Sequence, residues 1–210
     1  MRKIIGIFLL IAGLVLGVSN FVSWQEGRSS AENMTTEEVA HYEQIKTTPE
    51  KTTDNQKVTP SPQSPSKEKV MINNQHELGE KVGMLVIPKI QQKYQIFWGT
   101  DEKVLKKGVG MFDSKRTTPP GEKHTVLSGH RDTVFVRLGE LEIGDSLMVE
   151  YSNQTYHYII QKIWITDKDD RSVIVDKATS TLTLTTCYPF SYVGNAPDRY
   201  IIQAALSNPE

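Results

Sequence analysis

The sequence contains a single cysteine, Cys187, among its 210 residues. One thiol cannot form a disulfide within the chain. The lone cysteine therefore needs another explanation, and two are available. It is either a small apolar side chain buried in the core or a catalytic group.

Other familiar signatures are also missing. The sequence has no cluster of cysteine and histidine at zinc-site spacing, no glycine-rich phosphate-binding loop and no internal repeat. The 24 basic and 25 acidic residues leave a net charge of -1, which gives no electrostatic reason to expect a nucleic acid as partner. We therefore predict no cofactor of these kinds and no nucleic-acid partner.

The N-terminus carries a long apolar stretch. Residues 4–24 contain no charged side chain, and a membrane-spanning helix needs about 20 mostly apolar residues. Arg2 and Lys3 precede the stretch, Trp24 closes it, and four glutamates follow it. By the positive-inside rule, we expect residues 1–3 to form a cytoplasmic tail and residues 4–24 a single-pass membrane anchor. The rest of the chain would then lie on the extracellular, cell-wall side.

A cleaved signal peptide has the same order of charges. Its apolar core usually spans about 7–15 residues, and the densest apolar run here, Ile4 to Val18, reaches that limit. Ser29 and Ala31 could form a cleavage site, but they lie far from this run. The sequence therefore favours an uncleaved anchor, and the following residues are exported under either interpretation.

Residues 25–70 are predicted to form an extracellular stalk. A short helix is expected at residues 35–46, with three apolar side chains on one face: Val39, Tyr42 and Ile45.

The second part of this stalk, residues 47–69, is rich in Thr, Ser, Pro, Lys and Gln. It has too little apolar surface to offset the entropy of ordering, so we expect it to be disordered. Fully extended at ~3.3 Å per residue, it would reach on the order of 75 Å. It is either a spacer that holds a domain off the membrane or a linker of no particular length.

The remaining residues, 71–210, are predicted to form one all-β domain. Short β-branched and aromatic runs alternate there with turn residues, and about seven or eight strands at this spacing indicate a sandwich or a closed barrel. One short helix is expected at residues 101–107. The predicted strands lie at residues 84–87, 94–98, 125–128, 146–151, 156–166, 181–186 and 200–205.

Three polar side chains lie at the ends of these strands. Cys187 follows the strand at 181–186, His130 follows the strand at 125–128, and Arg199 begins the last strand. Strand ends suit reactive groups because the scaffold is rigid and the tip is open. A thiol nucleophile, a histidine base and an arginine that binds an oxyanion are a chemically complete set.

Each of the three also has a plainer interpretation. Cys187 fits a small buried thiol as well as a nucleophile. His130 fits a surface histidine, and Arg199 fits a surface arginine paired with Asp198. Taken singly, the residues leave these alternatives open.

Taken together, the three segments resemble those of the sortase family. Thr183-Leu184-Thr185-Thr186-Cys187 is similar to the segment that carries the sortase nucleophile, and Leu127-Ser128-Gly129-His130 is similar to the sortase histidine segment. Arg199 lies twelve residues after the cysteine, as the sortase arginine does. The resemblance covers residues 83–205 and the N-terminal anchor. Within the family, the chain most resembles the class D enzymes.

The resemblance implies a closed β-barrel of about eight strands with one or two short helices. It implies that Cys187 is the nucleophile, that His130 is the general acid and base, and that Arg199 binds the oxyanion or positions the substrate. The substrate would be a secreted protein with a C-terminal signal of the Leu-Pro-x-Thr-Gly or Leu-Pro-x-Thr-Ala type. The signal would be cleaved after threonine through a thioacyl intermediate, and the acyl group would pass to an amine of peptidoglycan or of its precursor lipid II.

The resemblance also suggests where the substrate binds. Residues next to the cysteine are candidates for a substrate pocket, although each also fits plain strand or core packing: Thr186, Tyr188, Phe190, Tyr192 and Val193.

Some sortases use a calcium ion, whose acidic ligands lie in loops. One acidic cluster here, Asp167, Asp169 and Asp170, is more typical of a solvated loop, so we predict no metal site.

Two other functions fit parts of the sequence. A membrane-anchored cysteine peptidase would share the nucleophile and the base but release a free acid. A non-enzymatic β-barrel would serve as a surface binding module, and its thiol would be inert.

Overall fold

The computed structural model describes residues 2–29, 31–45, 76–191 and 194–207. The linker predicted to be disordered, at 47–69, and the start of the predicted domain, 71–75, lie outside the described residues. The helices are α1 (Arg2–Ser29), α2 (Thr36–Ile45) and α3 (Glu102–Leu105). The strands are β1 (Ala31–Asn33), β2 (Lys81–Ile87), β3 (Gln92–Trp98), β4 (Val109–Met111), β5 (His124–Ser128), β6 (Ser146–Tyr151), β7 (Gln154–Asp167), β8 (Thr181–Tyr188) and β9 (Asp198–Leu206).

The strands form one sheet in the order β1-β3-β2-β6-β7-β9-β8-β5-β4. The sheet closes because β4 pairs back onto the second half of β3, Ile96–Trp98, in parallel orientation. The first half of the same edge, Gln92–Tyr94, pairs with β1. The closed barrel is therefore made of β2 to β9, with β1 as an added strand. This confirms the predicted all-β barrel and excludes a sandwich.

Alternation along each strand decides which side chains fill the barrel. On β8, Leu182 and Leu184 point inward and are fully buried in the core. Their neighbours Thr181 and Thr183 point to the outer face. They are buried too, because the connection between β7 and β8 packs over this part of the sheet. β8 is thus a central strand covered on both faces at its N-terminal end.

The predicted strands are confirmed, with ends that differ by a few residues. The short helix is confirmed as α3, whose N-cap is Asp101: its side chain accepts a hydrogen bond from the Val104 amide at 2.8 Å. The sequence does not predict β4. That strand has only three residues, and Gly110 at its centre weakens the β-strand pattern.

Part of the segment predicted as a stalk over residues 25–70 is described by the structure. The short helix predicted at 35–46 is present as α2, but β1 and α2 pack on the barrel instead of standing apart from it. A three-residue strand is too short to show alternation in the sequence. The apolar face of α2 packs against Val86 and Met148 of the barrel. These residues are far away in the sequence, so the sequence alone does not show the contact.

The N-terminal helix α1 has apolar side chains that are mostly exposed, among them Phe8, Leu10 and Leu14. Over the residues that the structure describes, no helix reaches the combined length and apolarity required for a membrane crossing.

A buried histidine lies at the start of β5. His124 is the first residue of β5 and is fully buried. Its Nδ1 lies 2.6 Å from the Val175 carbonyl and its Nε2 lies 2.9 Å from the Thr183 hydroxyl. A carbonyl can only accept, so Nδ1 carries the proton, and Nε2 accepts from Thr183. The imidazole therefore fastens the β7–β8 connection to the sheet in its neutral form.

We expect this histidine to make the fold sensitive to acid. Burial lowers the pKa of His124 below its ordinary value of 6.5, so the unfolded chain takes up a proton below that pH before the folded chain does. Stability is then present above pH 6.5 and falls as the pH is lowered, by at most about 1.4 kcal/mol per pH unit for one group. The free energy of unfolding, measured with denaturant between pH 7.5 and 5, should fall less steeply with decreasing pH in His124→Gln than in the unmodified protein.

The matched control is His41→Gln, which removes an exposed imidazole on α2. An equal change of the free energy of unfolding with pH in the unmodified protein and in His124→Gln would contradict the assignment of the acid sensitivity to His124.

Candidate active site

Cys187 and Arg199 face each other across neighbouring strands. In the antiparallel pairing of β8 and β9, Cys187 is the register partner of Arg199. Paired residues project to the same face of a sheet, and alternation from the inward Leu184 puts both on the outer face of the barrel wall. The Arg199 Nη1 donates to the carbonyls of Ala196 and Asp198, at 3.3 and 3.0 Å. The guanidinium is therefore held at the start of β9, beside the thiol.

His130 reaches the same place from the other edge of β8. In the parallel pairing of β5 and β8, Ser128 is the partner of Thr185, so a chain that continues two residues past each arrives at His130 and Cys187. The two residues and Arg199 line one open cavity of about 400 Å³. The structure thus brings together all three residues singled out in the sequence, from three strands in one patch of sheet.

Backbone contacts fix the segment that carries His130. Gly129 packs against the face of Phe135, and a Cβ at position 129 would lie 2.7 Å from the Phe135 ring. The amides of Val134 and Phe135 both donate to the His130 carbonyl, at 3.2 and 2.8 Å. Glycine is therefore required before the histidine for close packing, since its backbone lies directly on the aromatic ring.

Thr186 ties this segment to the strand of the cysteine. Its side chain is buried and points to the inner side of the barrel, where its hydroxyl donates to the Gly129 carbonyl at 2.7 Å. The hydroxyl is thus engaged with the backbone immediately before His130. The sequence predicts Thr186 as a substrate contact, and this hydrogen bond also makes it a candidate for positioning His130.

Arg131 is a second residue of this kind, and sequence reasoning missed it. Its side chain is buried beside the cavity, and its Nη2 donates to the Gly194 carbonyl at 2.8 Å. It therefore connects the segment after β5 with the loop between β8 and β9. The signal that was available is its position: an arginine directly after the candidate histidine.

Two of the residues predicted to form a substrate pocket pack together with Tyr200. Tyr188 and Phe190 form an aromatic cluster with Tyr200, with ring centroids 5.1–6.0 Å apart, and Phe190 packs on the barrel core. The described lining of the cavity beside Cys187 does not include them. Tyr192 and Val193 lie outside the described residues.

The acidic loop after β7 uses its carboxylates locally. The Lys168 ammonium donates to Asp169 at 2.6 Å, and the Thr166 hydroxyl and the Ser172 amide donate to Asp170. These hydrogen bonds lower the pKa of both carboxyls. Within the described ranges, no group of three or more candidate metal ligands comes together.

Comparison with known proteins identifies the fold. The family model described as the sortase domain matches residues 85–207, which contain all three cavity residues. The chain belongs to the sortase family. A sortase is a cysteine transpeptidase, so family membership identifies an enzyme and not a binding module.

Relatives of class D are among the matches. The chain is 42% identical over 205 residues to sortase D of Bacillus subtilis strain 168, covering 96% of this chain and 97% of that one. The catalytic domain of SrtD from B. anthracis is 59% identical, with a TM-score of 0.57 over 67% of this chain and 96% of the other. A sortase C of Clostridium perfringens, solved with a C-terminal cell wall sorting motif, is 26% identical, with a TM-score of 0.57 over 63% of this chain and 73% of the other.

We expect Thr186→Val to impair this sortase by displacing His130. Loss of one buried hydrogen bond should reduce the free energy of unfolding by about 1 kcal/mol. A displaced catalytic group should lower kcat by about tenfold or more with a smaller change in KM. Thr186→Ser keeps the hydroxyl and should restore kcat. Peptide-cleavage kinetics and denaturant unfolding measure the two effects separately.

Thr181→Val is the matched control, because Thr181 is buried on the same strand and its hydroxyl donates to the Thr179 carbonyl, far from the cavity. It should lose similar stability and keep its kcat. Equal losses of kcat in the two variants would show that Thr186 affects activity only through the general stability of the fold.

Proposed function

We propose that Cys187, His130 and Arg199 carry the transpeptidation by this sortase. The enzyme cleaves a Leu-Pro-x-Thr-Gly or Leu-Pro-x-Thr-Ala type signal after threonine and transfers the acyl group to a cell-wall amine. The observation that supports this most is the direct pairing of Cys187 with Arg199 across β8 and β9, with His130 on the same cavity. A nucleophile, a fixed cation and an acid–base group converge there on one open site.

In the first half of the reaction, the Cys187 thiolate attacks the carbonyl carbon of the threonine. The carbonyl electrons move onto oxygen, and Arg199 stabilises the oxyanion by charge and hydrogen bonding. As the carbonyl re-forms, the bond to the next residue breaks. His130 donates a proton to the departing amine, which leaves a thioester between threonine and Cys187.

In the second half, an amine replaces the departed peptide. His130 takes a proton from the incoming amine, which attacks the thioester carbon. Arg199 again stabilises the oxyanion, and the Cys187 thiolate leaves. The product is an amide between the threonine and the acceptor, so the number of peptide-type bonds is conserved. The acceptor we propose is an amine of peptidoglycan or of lipid II. A hydrolytic peptidase would use water at this step.

We also propose that α1 anchors the enzyme in the cell membrane with its N-terminus in the cytoplasm. Residues 4–24 have the length and the lack of charge that a membrane span needs, and α1 covers all of them. Apolar side chains are exposed around the helix, and a continuous apolar surface is unfavourable in water. The basic residues before the stretch support an extracellular catalytic domain.

We expect Cys187→Ala to abolish both cleavage and ligation, because no other thiol is present in the chain. The full chain in detergent is given a quenched peptide with the Leu-Pro-x-Thr-Ala or Leu-Pro-x-Thr-Gly signal, with and without an amine acceptor. Mass spectrometry should show a ligated peptide only with the amine present. Cleavage by Cys187→Ala, or release of free acid alone despite excess amine, would refute the transpeptidase mechanism.

The other two roles predict graded losses in kcat/KM. His130→Ala should lose about 10²–10⁴-fold because proton transfer to the leaving group is removed. Arg199→Ala should lose about 10²–10³-fold because an oxyanion donor is removed. His41→Ala and Arg116→Ala, at exposed positions, are the controls for the loss of each side-chain type. Unmodified rates in either cavity variant would rule out the corresponding role.

A further inference from the structure

The loop between β8 and β9 forms one wall of the cavity beside Cys187. Gly194, Asn195 and Ala196 all line the cavity, and the chain then enters β9 at Asp198. From Asp198 onward the chain is fixed by strand pairing on both sides, with β7 and with β8. The three wall residues precede these pairings, so their position depends on contacts other than the ladder of the sheet.

Two guanidinium groups bind the carbonyls of this short segment. The Arg131 Nη2 donates to the Gly194 carbonyl at 2.8 Å, and the Arg199 Nη1 donates to the Ala196 carbonyl at 3.3 Å. The two acceptors are only two residues apart in the chain. Because Arg131 directly follows His130, the connection runs from the histidine through Arg131 and the loop to Arg199.

This connection completes a ring of contacts that includes the thiol. The sheet supplies one half of the ring: Cys187 is the register partner of Arg199, and the Thr186 hydroxyl holds the Gly129 carbonyl immediately before His130. The contacts of the two arginines with the loop supply the other half. His130 and Arg199 are therefore fixed relative to each other by two separate routes.

The burial of Arg131 indicates that its donors serve this connection. The residue is 8% exposed, although it borders the open cavity. Taking a guanidinium out of water costs free energy, and an apolar side chain of similar volume often replaces a buried charge with no loss of stability. An arginine at this position is therefore explained by the contact that it makes with the loop and not by packing alone.

We propose that Arg131 is a positioning residue for transpeptidation, which holds the loop at 194–196 so that the Arg199 guanidinium stays beside the thiol. The inference rests on the function proposed above, and it adds a residue that acts through Arg199 instead of on the substrate. The Arg199 Nη1 is engaged with the Ala196 and Asp198 carbonyls. Its Nε and Nη2 donors belong to the same rigid plane, so fixing the loop also fixes the direction of the donors assigned to the oxyanion.

Steady-state kinetics on the full chain in detergent test this role. Arg131→Met removes the donors and keeps most of the volume, and it should lower kcat for cleavage of the signal peptide by about tenfold to a hundredfold, with a smaller change in KM. Arg137→Met is the matched control: Arg137 lies in the same connection after β5, and its Nη1 donates to the Ile90 carbonyl at 2.7 Å, outside the described cavity lining. It should keep its kcat. Equal kcat losses in the two variants, or an unchanged kcat in Arg131→Met, overturn the inference.

A change on the acceptor side separates the contact from the charge of Arg131. Gly194 has a φ of +103°, which a β-branched residue rarely adopts, and a Cβ at this position would meet no described atom within 4 Å. Gly194→Val should therefore turn the carbonyl away and lower kcat as Arg131→Met does, although the arginine is retained. The double variant should be no slower than the slower single variant, because both changes remove one shared contact. Full activity of Gly194→Val, or losses that multiply in the double variant, overturn the inference.

Loop mobility gives a readout that does not depend on activity. Asn195 is exposed, and Asn195→Cys in a Cys187→Ala background takes a single nitroxide label on the cavity wall. The electron paramagnetic resonance spectrum should show restricted motion with Arg131 present and in Arg137→Met, and faster motion in Arg131→Met. Fast motion with Arg131 in place, or equal spectra in all three proteins, overturns the inference.

Together, the two kinds of measurement separate this inference from the function on which it rests. Absence of cleavage by the unmodified protein refutes the proposed catalysis, whereas the spectra report on the contact between Arg131 and the loop in either case. Cleavage by the unmodified protein with an immobile loop in Arg131→Met overturns the inference and leaves the catalysis standing. Circular dichroism establishes that each variant is folded, and if Arg131→Met does not fold, the kinetics and the spectrum of Gly194→Val decide the test.

Discussion

The pairing of β8 with β9 on one edge and with β5 on the other is the constraint on which the catalytic site depends. The antiparallel register sets Arg199 opposite Cys187, and the parallel register carries His130 to the same level. Because side chains alternate across a sheet, a slip of one residue in either pairing would turn one of these three side chains to the other side of the barrel wall. The buried leucines of β8 prevent such a slip.

The threonines of β8 have distinct tasks that follow from this alternation. Thr183, on the outer face, joins His124 and Gln203 and fastens the covering connection to the sheet. Thr186, on the inner face, holds the backbone before His130. Cys187 lies on the same outer face as Thr183, at the end of the strand, and lines the open cavity. A strand of alternating Thr and Leu thus supplies both the packing and the polar attachments around a reactive end.

The same sheet connects the site to the N-terminal part of the chain. β3 pairs with both β1 and β4 along a single edge, so the strand that closes the barrel also pairs with the N-terminal part of the chain. Tyr94 of β3 then contacts the segment that carries His130 through Phe135. The N-terminal part of the chain and the three cavity residues are therefore connected to neighbouring parts of one sheet.

The sequence by itself determined the all-β domain, most of its strands, the two short helices and the three cavity residues. Those features depend on local signals: alternation, turn residues, proline and glycine, and polar side chains at strand ends. Only the tertiary structure decided that β4 closes the barrel and that β1 and α2 dock on it. It also decided that His124 is buried and that Thr186 and Arg131 serve the segments around His130. These depend on partners far away in the chain, which a short strand or a single side chain does not reveal.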